Sequence, residues 1–561
     1  MKLIKLNKLV YLIIIFISLF LLRDLFKPGF YTSHDGHHQL IRMAVFDQGL
    51  KDGQFPVRWT GSALDGYGYP LFVFTYRLPF IIGEFFRVLF SFSYMNVIKA
   101  VFLVSFVLSG ISMYWVLRDI LKEELPAFFG SMVYLIAPYR FSNIFVRASL
   151  GEATAFIFWP IIFWAIYKLD KKTKVAILAG SLALSLALIS HAMVFFIFLP
   201  FIVLFYGFQL FHSKKKLLFI KAAVLQLVFF LLLSSYYLIP AMLEKSQTVF
   251  NSVFSNHIES HFPSLKQLIY SPWGYGFSMP GLEDGMSFQV GLGQWLVAAL
   301  GAAFIVYIFL KKKKQLTLLG FSLFGFSVSI FLMLQVSAWF WRKLGVFMEL
   351  DFPWRLLSVS VFFAAFAAGI VSKYLDKNIS KVFFIVAMII LLYGNRNHLK
   401  INQSFVYDDA QLVNSVDTSN SYNDYMPVGL SGVELGEADP FIQVKEGEGN
   451  FNLLEKKSNL AHIKATVETQ KAEVLLKMAY FPGWEVDVNG ERKKVESDQG
   501  KIKLNLTFGE NDIKVYLKES NLRKRADILS LVGMIGIIIF AIYPKFNFFG
   551  LSKSDKKLHH S

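Results

Sequence analysis

Long apolar runs recur along this chain, and their length constrains the fold more than any other feature. Crossing about 30 Å of hydrocarbon takes a helix of about 20 apolar residues. A helix is also one of only two ways to satisfy every backbone N–H and C=O without water. Twelve runs stand out, near 9–26, 96–117, 125–138, 152–168, 175–190, 193–211, 217–239, 289–310, 316–335, 355–373, 380–394 and 527–543. Of the 561 residues, 55% are hydrophobic and only 17% charged, too apolar a balance for an ordinary soluble chain. The expected fold class is a polytopic α-helical membrane protein with about 12 transmembrane helices. Lys2, Lys5 and Lys8 precede the first run and no small-residue cleavage site follows it, so it reads as a retained helix.

The charge distribution orients these spans. The formal net charge is +17, but residues 401–525 hold 16 basic against 20 acidic residues, a net of −4, which leaves +21 elsewhere. The surplus lies in short junctions: Arg118–Glu124, Asp170–Lys174, Ser213–Lys216, Lys311–Lys314, Lys373–Lys381, and a tail with Lys545, Lys553, Lys556 and Lys557. They alternate with longer, aromatic junctions at 27–95, 139–151, 240–288, 336–354 and 395–526. The positive-inside rule makes the basic set and both termini cytoplasmic and the long set extracytoplasmic. It explains the charge without any nucleic-acid partner. "YPLFVFTYRLPFIIGEFFRVLF" (Tyr69–Phe90) carries Pro70, Arg77, Pro79, Glu84 and Arg87. Counting it as a span would invert every later loop, so it reads as an interfacial or re-entrant helix.

Residues 396–525 change character. "AHIKATVETQKAEVLLKMAYFPGWEVDVNGERKKVE" alternates apolar and polar positions as strands do. Asn489-Gly490 supplies the positive φ values of a type I′ hairpin turn. A β-sandwich-like extracytoplasmic domain is expected at 396–525. It would lie between a membrane domain at 1–395 and a final helix with a basic tail at 526–561. No cysteine is present, which excludes disulfides, thiolate metal sites and cysteine nucleophiles.

Chemistry concentrates in the long junctions. "YTSHDGHHQLIRM" (31–43) places His34, Asp35, His37 and His38 just beyond the first span. Asp35 could deprotonate an acceptor while a lipid-borne donor lies in the bilayer. Asp35 and His38 share a helical face at i,i+3 spacing if Ser33 caps a helix here. The same pair could instead hold a divalent ion, Mg or Mn, or the stretch could be a solvated loop. Asp47, Asp52 and Asp65 follow in the same junction. Arg58, beside Trp59, reads either as an interfacial anchor or as a bidentate phosphate ligand. Arg140, Asn143, Arg147 and Glu152 come from the next long junction, and Glu152 opens an apolar run where a charge is costly. His191 sits at the junction of two runs. "MELDFPWRLLSVSVFF" brings Glu349, Asp351 and Arg355 to the entrance of another. Topology gathers Asp35, Arg58, Glu152, His191 and Arg355 at one interface. Nothing in the sequence suggests a Walker loop or a nucleophile elbow.

The arrangement resembles the GT-C superfamily of membrane glycosyltransferases. "HDGHHQLIRM", "GQFPVRW", "GYGYPLFVFTY", "RASLGEATAF", "LISHAMVFF" and "FPWRLL" together resemble the bacterial group labelled 6-pyruvoyl-tetrahydropterin-synthase-related membrane proteins, a label that implies no pterin chemistry here. "AYFPGWEVDVNGERKKV" resembles the matching segment of YfhO-like membrane proteins. The resemblance implies a bacterial plasma-membrane enzyme that takes sugar from a polyprenyl-phosphate donor. The acceptor would be an extracytoplasmic cell-envelope glycan, lipid or protein, and the transfer inverting. It implies Asp35 as base and Glu152 at a second acidic position; the loops themselves add His191 as a catalytic candidate and Arg355, Arg58 and Arg147 as candidates for the donor phosphate. His34, His37, His38, Asp65, Tyr76 and Arg140, read from the same junctions, are the accessory candidates. A single first-loop acid with histidines, where other members pair two acids, leaves metal dependence open. Two rival classes fit the same topology: a flippase for lipid-linked glycan, and a glycan-binding scaffold. The ionisable residues gather at one face and not at the midplane, which disfavours the flippase.

Overall fold

The computed structural model describes residues 2–253, 261–279, 283–309, 316–348, 352–420 and 422–543. Glu349, Asp351, the lysine cluster at 311–314 and the basic tail lie outside the described residues. Helix α1 (Lys2–Leu21) leads into α2 (Gly36–Lys51), α3 (Leu78–Phe90) and α4 (Tyr94–Leu121). Then follow α5 (Glu124–Leu135), α6 (Leu150–Ala155), α7 (Phe158–Lys168), α8 (Thr173–Ser190), α9 (Ala192–His212) and α10 (Lys216–Leu243). The second half holds α11 (Leu292–Phe309), α12 (Leu316–Met333), α13 (Leu357–Tyr374), α14 (Lys377–Gly394), the short α15 (Asp409–Val413) and α16 (Asn521–Ile542). Ser93 and Ser520 cap α4 and α16, each accepting a backbone N–H of the first turn.

All twelve apolar runs fall on helices, yet they are not alike. Among the described residues, seven helices are long and apolar enough to cross a membrane, and eight if α12 counts together with the helix bent 88° from it. They are α4, α6 with α7, α8, α9, α10, α13 and α16. The apolar stretches of α1, α11 and α14 are shorter, and α5 has 12 residues. The chain is thus a multi-pass membrane protein. Helix α13 is its axis: every residue from Leu357 to Ser372 is buried, whereas α16 buries only Arg523, Ala526, Gly533, Ile537 and Phe540. Ala364, Ala365, Ala367, Ala368 and Gly369 let neighbours approach α13 closely. Helix α3, at 13 residues, is only about 20 Å long. It buries Pro79, Phe80 and Gly83 and exposes Ile81, Phe85, Val88 and Leu89.

The C-terminal part is one antiparallel sheet. Two strands lie apart from it: β1 (Phe30–Tyr31) pairs with β2 (Ser404–Phe405). The sheet proper comprises β3 (Ile442–Glu446), β4 (Gly449–Lys457), β5 (Leu460–Ala479), β6 (Trp484–Val488), β7 (Glu491–Lys493), β8 (Glu496–Asp498) and β9 (Lys501–Leu517). Its order is β3-β5-β9-β6-β7, with β4 on β5 and β8 on β9. Strands β5 and β9 run its full length, and their pairing breaks register between Val467 and Lys471, where a bulge bends the sheet. The expected sandwich-like domain is by hydrogen bonding one continuous sheet, whose two halves share β5 and β9. Asn489 (φ 57°) and Gly490 (φ 80°) make the expected hairpin turn between β6 and β7.

Strands of the sheet begin only at Ile442. Residues 395–441 form a strap across the loop end of the bundle. It pairs at β2, lays α15 along α2, and accepts the Val249 N–H on Met426 O at 3.0 Å. The sheet is seated on the first junction: Trp59 meets Trp484 edge-on at 5.6 Å, Tyr67 O accepts the Ala479 N–H at 2.7 Å, and Asp52 Oδ2 accepts the Ser458 N–H at 2.7 Å. A Cβ on Gly61 would stand 2.6 Å from Ser458 Cα, a backbone atom that cannot step aside. Gly61→Val should therefore loosen the sheet, lowering stability by about 1–3 kcal/mol. Faster proteolysis between the strap and the sheet, with the helical bundle left intact, would register it.

Candidate active site

A cavity of about 490 Å³ opens at the loop end of the bundle. Its polar lining is Asp35 and Arg42 from the start of α2, Tyr76 before α3, His191 between α8 and α9, Lys245 after α10, Arg355 before α13, and Asn420 and Asp424 of the strap. Its apolar side is Phe74, Met193, Phe196, Leu238, Ala241 and Met242. Met242 is 66% exposed on α10, so this side opens outward along the bundle.

Each polar group is aimed by local structure. Asp35 is the N-cap residue of α2, in place of the expected Ser33, whose hydroxyl turns back to Tyr31 O. The Asp35 backbone holds its place: N–H donates to Arg147 O at 2.9 Å and C=O accepts the Gln39 N–H at 2.9 Å. Its carboxylate makes no cap bond, nor any other hydrogen bond among the described residues. Arg42 stands two turns further on. It donates to Ser419 Oγ (3.1 Å) and Ser419 O (2.5 Å), tying the strap to α2. His191 is the single residue between two long helices. Its Nδ1 accepts the Val194 N–H at 3.3 Å, and Tyr76 stacks on its ring. Burial, then Arg355, Arg147 and Arg42, hold the imidazole well below its usual pKa. It is neutral with Nδ1 as acceptor, so its proton sits on Nε2 as a donor. Gly151 makes this junction possible: a Cβ there would lie 2.3 Å from Ser190 O and 3.0 Å from the Tyr76 ring.

Behind the lining lies a buried ion cluster. Glu152, fully buried, accepts from Tyr139 Oη at 2.6 Å and from Arg147 at 2.8 Å, with Arg355 Nη1 at 3.8 Å. Arg147 also donates to Asn143 Oδ1 at 2.8 Å. Glu152 and Arg147 do not line the cavity; they fix Arg355 and the backbone under Asp35.

The structure gathers Asp35, Tyr76, His191 and Arg355, and leaves other candidates elsewhere. Arg58 is buried at a tie to the last helix, pairing with Glu519 at 2.8 Å and Asp527 at 2.5 Å. With both ends of its fork taken and no place in the cavity wall, it is not positioned to hold donor phosphate. Arg140 is enclosed by the Phe106, Tyr134 and Phe156 rings and donates to Ser109 Oγ. Asp65 sits in a tight turn at φ 55°, bonded to Val416 O. His37 lies exposed against Tyr407, and His34 Nε2 meets Gly276 O at 2.9 Å while its ring stacks on Phe277. His38 faces Asp417 of the strap at 3.9 Å. Among the described residues no three His, Asp or Glu side chains converge to hold a metal. Among the described residues Asp35 and His38 have no third protein ligand beside them, and Arg42, Arg147 and Arg355 stand near Asp35 or His191. Sequence reasoning missed Arg42, Lys245, Asn420 and Asp424. Only Arg42 carried a local signal, since Asp35, Gln39 and Arg42 share a face of α2 at i, i+4 and i+7.

No family model and no curated protein matches the chain. Among solved structures it is similar to the arabinofuranosyltransferase AftD from Mycobacteria, at 11% identity and a TM-score of 0.44, over 69% of this chain and 27% of that one. It is also similar to an Archaeoglobus fulgidus oligosaccharyltransferase in complex with Zn and sulfate, at 12% identity and a TM-score of 0.38, over 73% of this chain and 54% of that one. The chain thus spans about a quarter of the first and about half of the second.

Two predictions follow from the charges. Arg58→Met leaves Glu519 and Asp527 unpaired at about 30% exposure, and solvent moderates the cost to about 1–3 kcal/mol. It should lower the melting temperature and leave binding of phosphate in the cavity unchanged; the reverse pattern would restore Arg58 to the site. His34, His38 and His191 all have lowered pKa values, chiefly from burial. The unfolded chain, with histidines near 6.5, binds more protons below that pH, so stability falls as pH drops from about 7 to 5. His191→Gln should flatten that decline in a melting-temperature series.

Proposed function

We propose that this protein is an inverting glycosyltransferase of the bacterial plasma membrane. It would draw sugar from a polyprenyl-phosphate donor and pass it to an extracytoplasmic cell-envelope acceptor. The carrying observation is the uncommitted Asp35 carboxylate in a cavity that is cationic at one end and apolar along its open side. A lipid phosphate has the same two halves. Its phosphate suits Arg355 and Arg42, and its chain suits Met193, Phe196, Leu238 and Met242. Guanidinium groups recognise phosphate through their paired donors.

Asp35 takes the proton from an acceptor hydroxyl as that oxygen attacks the anomeric carbon. The bond from that carbon to the phosphate oxygen breaks, the configuration inverts, and polyprenyl phosphate leaves with its new charge facing Arg355. His191, neutral with hydrogen on Nε2, serves as a donor to the leaving oxygen or to a sugar hydroxyl. Its tautomer makes it unsuited to be the base, which leaves that task to Asp35. Glu152 acts as a positioning residue by holding Arg355 and Arg147. In this reading the twelve apolar runs are spans, both termini are cytoplasmic, and residues 442–517 fold outside. No step is routed through a divalent ion.

Asp35→Asn preserves shape and removes the base. It should lower transfer by about 10²–10⁴-fold at unchanged expression and melting temperature, read as consumption of lipid-linked donor by the purified protein. Wild-type turnover in that variant would remove the assignment.

A further inference from the structure

A second cavity, of about 360 Å³, lies at the far end of α2 from Asp35. Four segments build it: α2 with Gln48 and the Asp52 at its end, the first junction with Thr60 and Ser62, the strap with Asn414, and the end of β4 with Lys456 and Lys457. Its floor is fixed. Asp52 accepts from Gln48 Nε2 at 2.8 Å and from the Ser458 N–H at 2.7 Å, and Gln54 holds Ser458 Oγ at 2.9 Å. Its rim is open, because the Asn414 side-chain amide makes no hydrogen bond among the described residues and Asn414 is exposed.

The chemistry differs from that of the first cavity. Val45 and Val413 are the only apolar side chains in the lining, so a lipid tail has nothing to lie on. Amide, hydroxyl, carboxylate and ammonium groups together match a polyhydroxylated ligand, which offers both donors and acceptors. The placement adds a second argument. Val45 and Asp52 stand 10 and 17 residues beyond Asp35 along α2, or about 15–25 Å at 1.5 Å per residue. The strap spans the same interval in reverse, from Asn414 at the second cavity to Asn420 and Asp424 at the first. Arg42–Ser419 and His38–Asp417 fasten it between. One edge of α2 thus connects both cavities.

We propose that the second cavity is a subsite for the distal sugars of an oligosaccharide acceptor whose reactive end reaches Asp35. The acceptor is then a chain of several sugar units. This deepens the transfer reading above and rests on it for the identity of the reactive end. The test uses the full chain, purified in detergent. Its probes are cell-envelope oligosaccharides released by mild acid and sorted by length, with binding followed by saturation-transfer NMR and donor consumption followed in parallel. Longer chains should bind about tenfold more tightly than monosaccharides, the worth of one or two added hydrogen bonds. Asn414→Trp, which fills the cavity, and the milder Lys456→Ala should each reduce that advantage while donor hydrolysis to water persists. Equal binding of short and long probes to the wild type would overturn the subsite, as would a length advantage that survives both variants. Absence of donor consumption in the wild type would count against the transfer reading alone, and the length dependence would still decide the subsite.

Discussion

The site depends on one buried carboxylate. Glu152 is enclosed where an isolated charge would cost several kcal/mol, and it is tolerated because Tyr139, Arg147 and Arg355 surround it. Those three come from the junction before α6 and from the entrance of the central helix α13. The cluster therefore locks two parts of the chain some two hundred residues apart. Arg147 passes the constraint on, since its carbonyl receives the Asp35 N–H. The position of the candidate base is thus set by backbone, which leaves its carboxylate free. An Asp35 that capped α2 in the usual way would have its oxygens occupied by N–H groups.

The other wall is supplied by the strap. Residues 395–441 leave the end of α14, cross the loop end of the bundle and enter the sheet, and on the way they bring Asn420 and Asp424 to the cavity. Arg42 is the fastening, and it also faces the cavity, so one guanidinium both closes the wall and contributes charge. The sheet serves as the anchor for the strap's far end. Its contacts through Trp59, Tyr67 and Asp52 return to the same first junction that carries Asp35. First junction, strap and sheet behave as one unit.

The membrane part was legible because its signal is local. The apolar runs lie on helices, and among the described residues seven of these are long and apolar enough to cross a membrane. The Asn489-Gly490 turn was legible for the same reason, since only certain residues accept its φ values. Asp35, His191 and Arg355, polar residues beside apolar runs, line one cavity. Arg58 and Arg140 show the same sequence signal with a different outcome. Arg58 finds its partners 461 and 469 residues away, and the Arg140 cage closes from three elements. A buried arginine tied to protein partners and one that lines a cavity look identical until their neighbours are known. The strap residues were illegible because a polar loop carries no period. Arg42 was within reach, two turns along the helix from Asp35, but the cluster of histidines drew attention to the wrong face.

The balance of charge in the cavity argues for an anionic, amphipathic ligand on physical grounds alone. Arg42, Arg355 and Lys245 line it against Asp35 and Asp424, and Arg147 stands behind. That field is strong enough to help keep His191 unprotonated. A phosphate entering between the arginines would relieve their mutual repulsion, and the open apolar side would receive whatever hydrocarbon it carries.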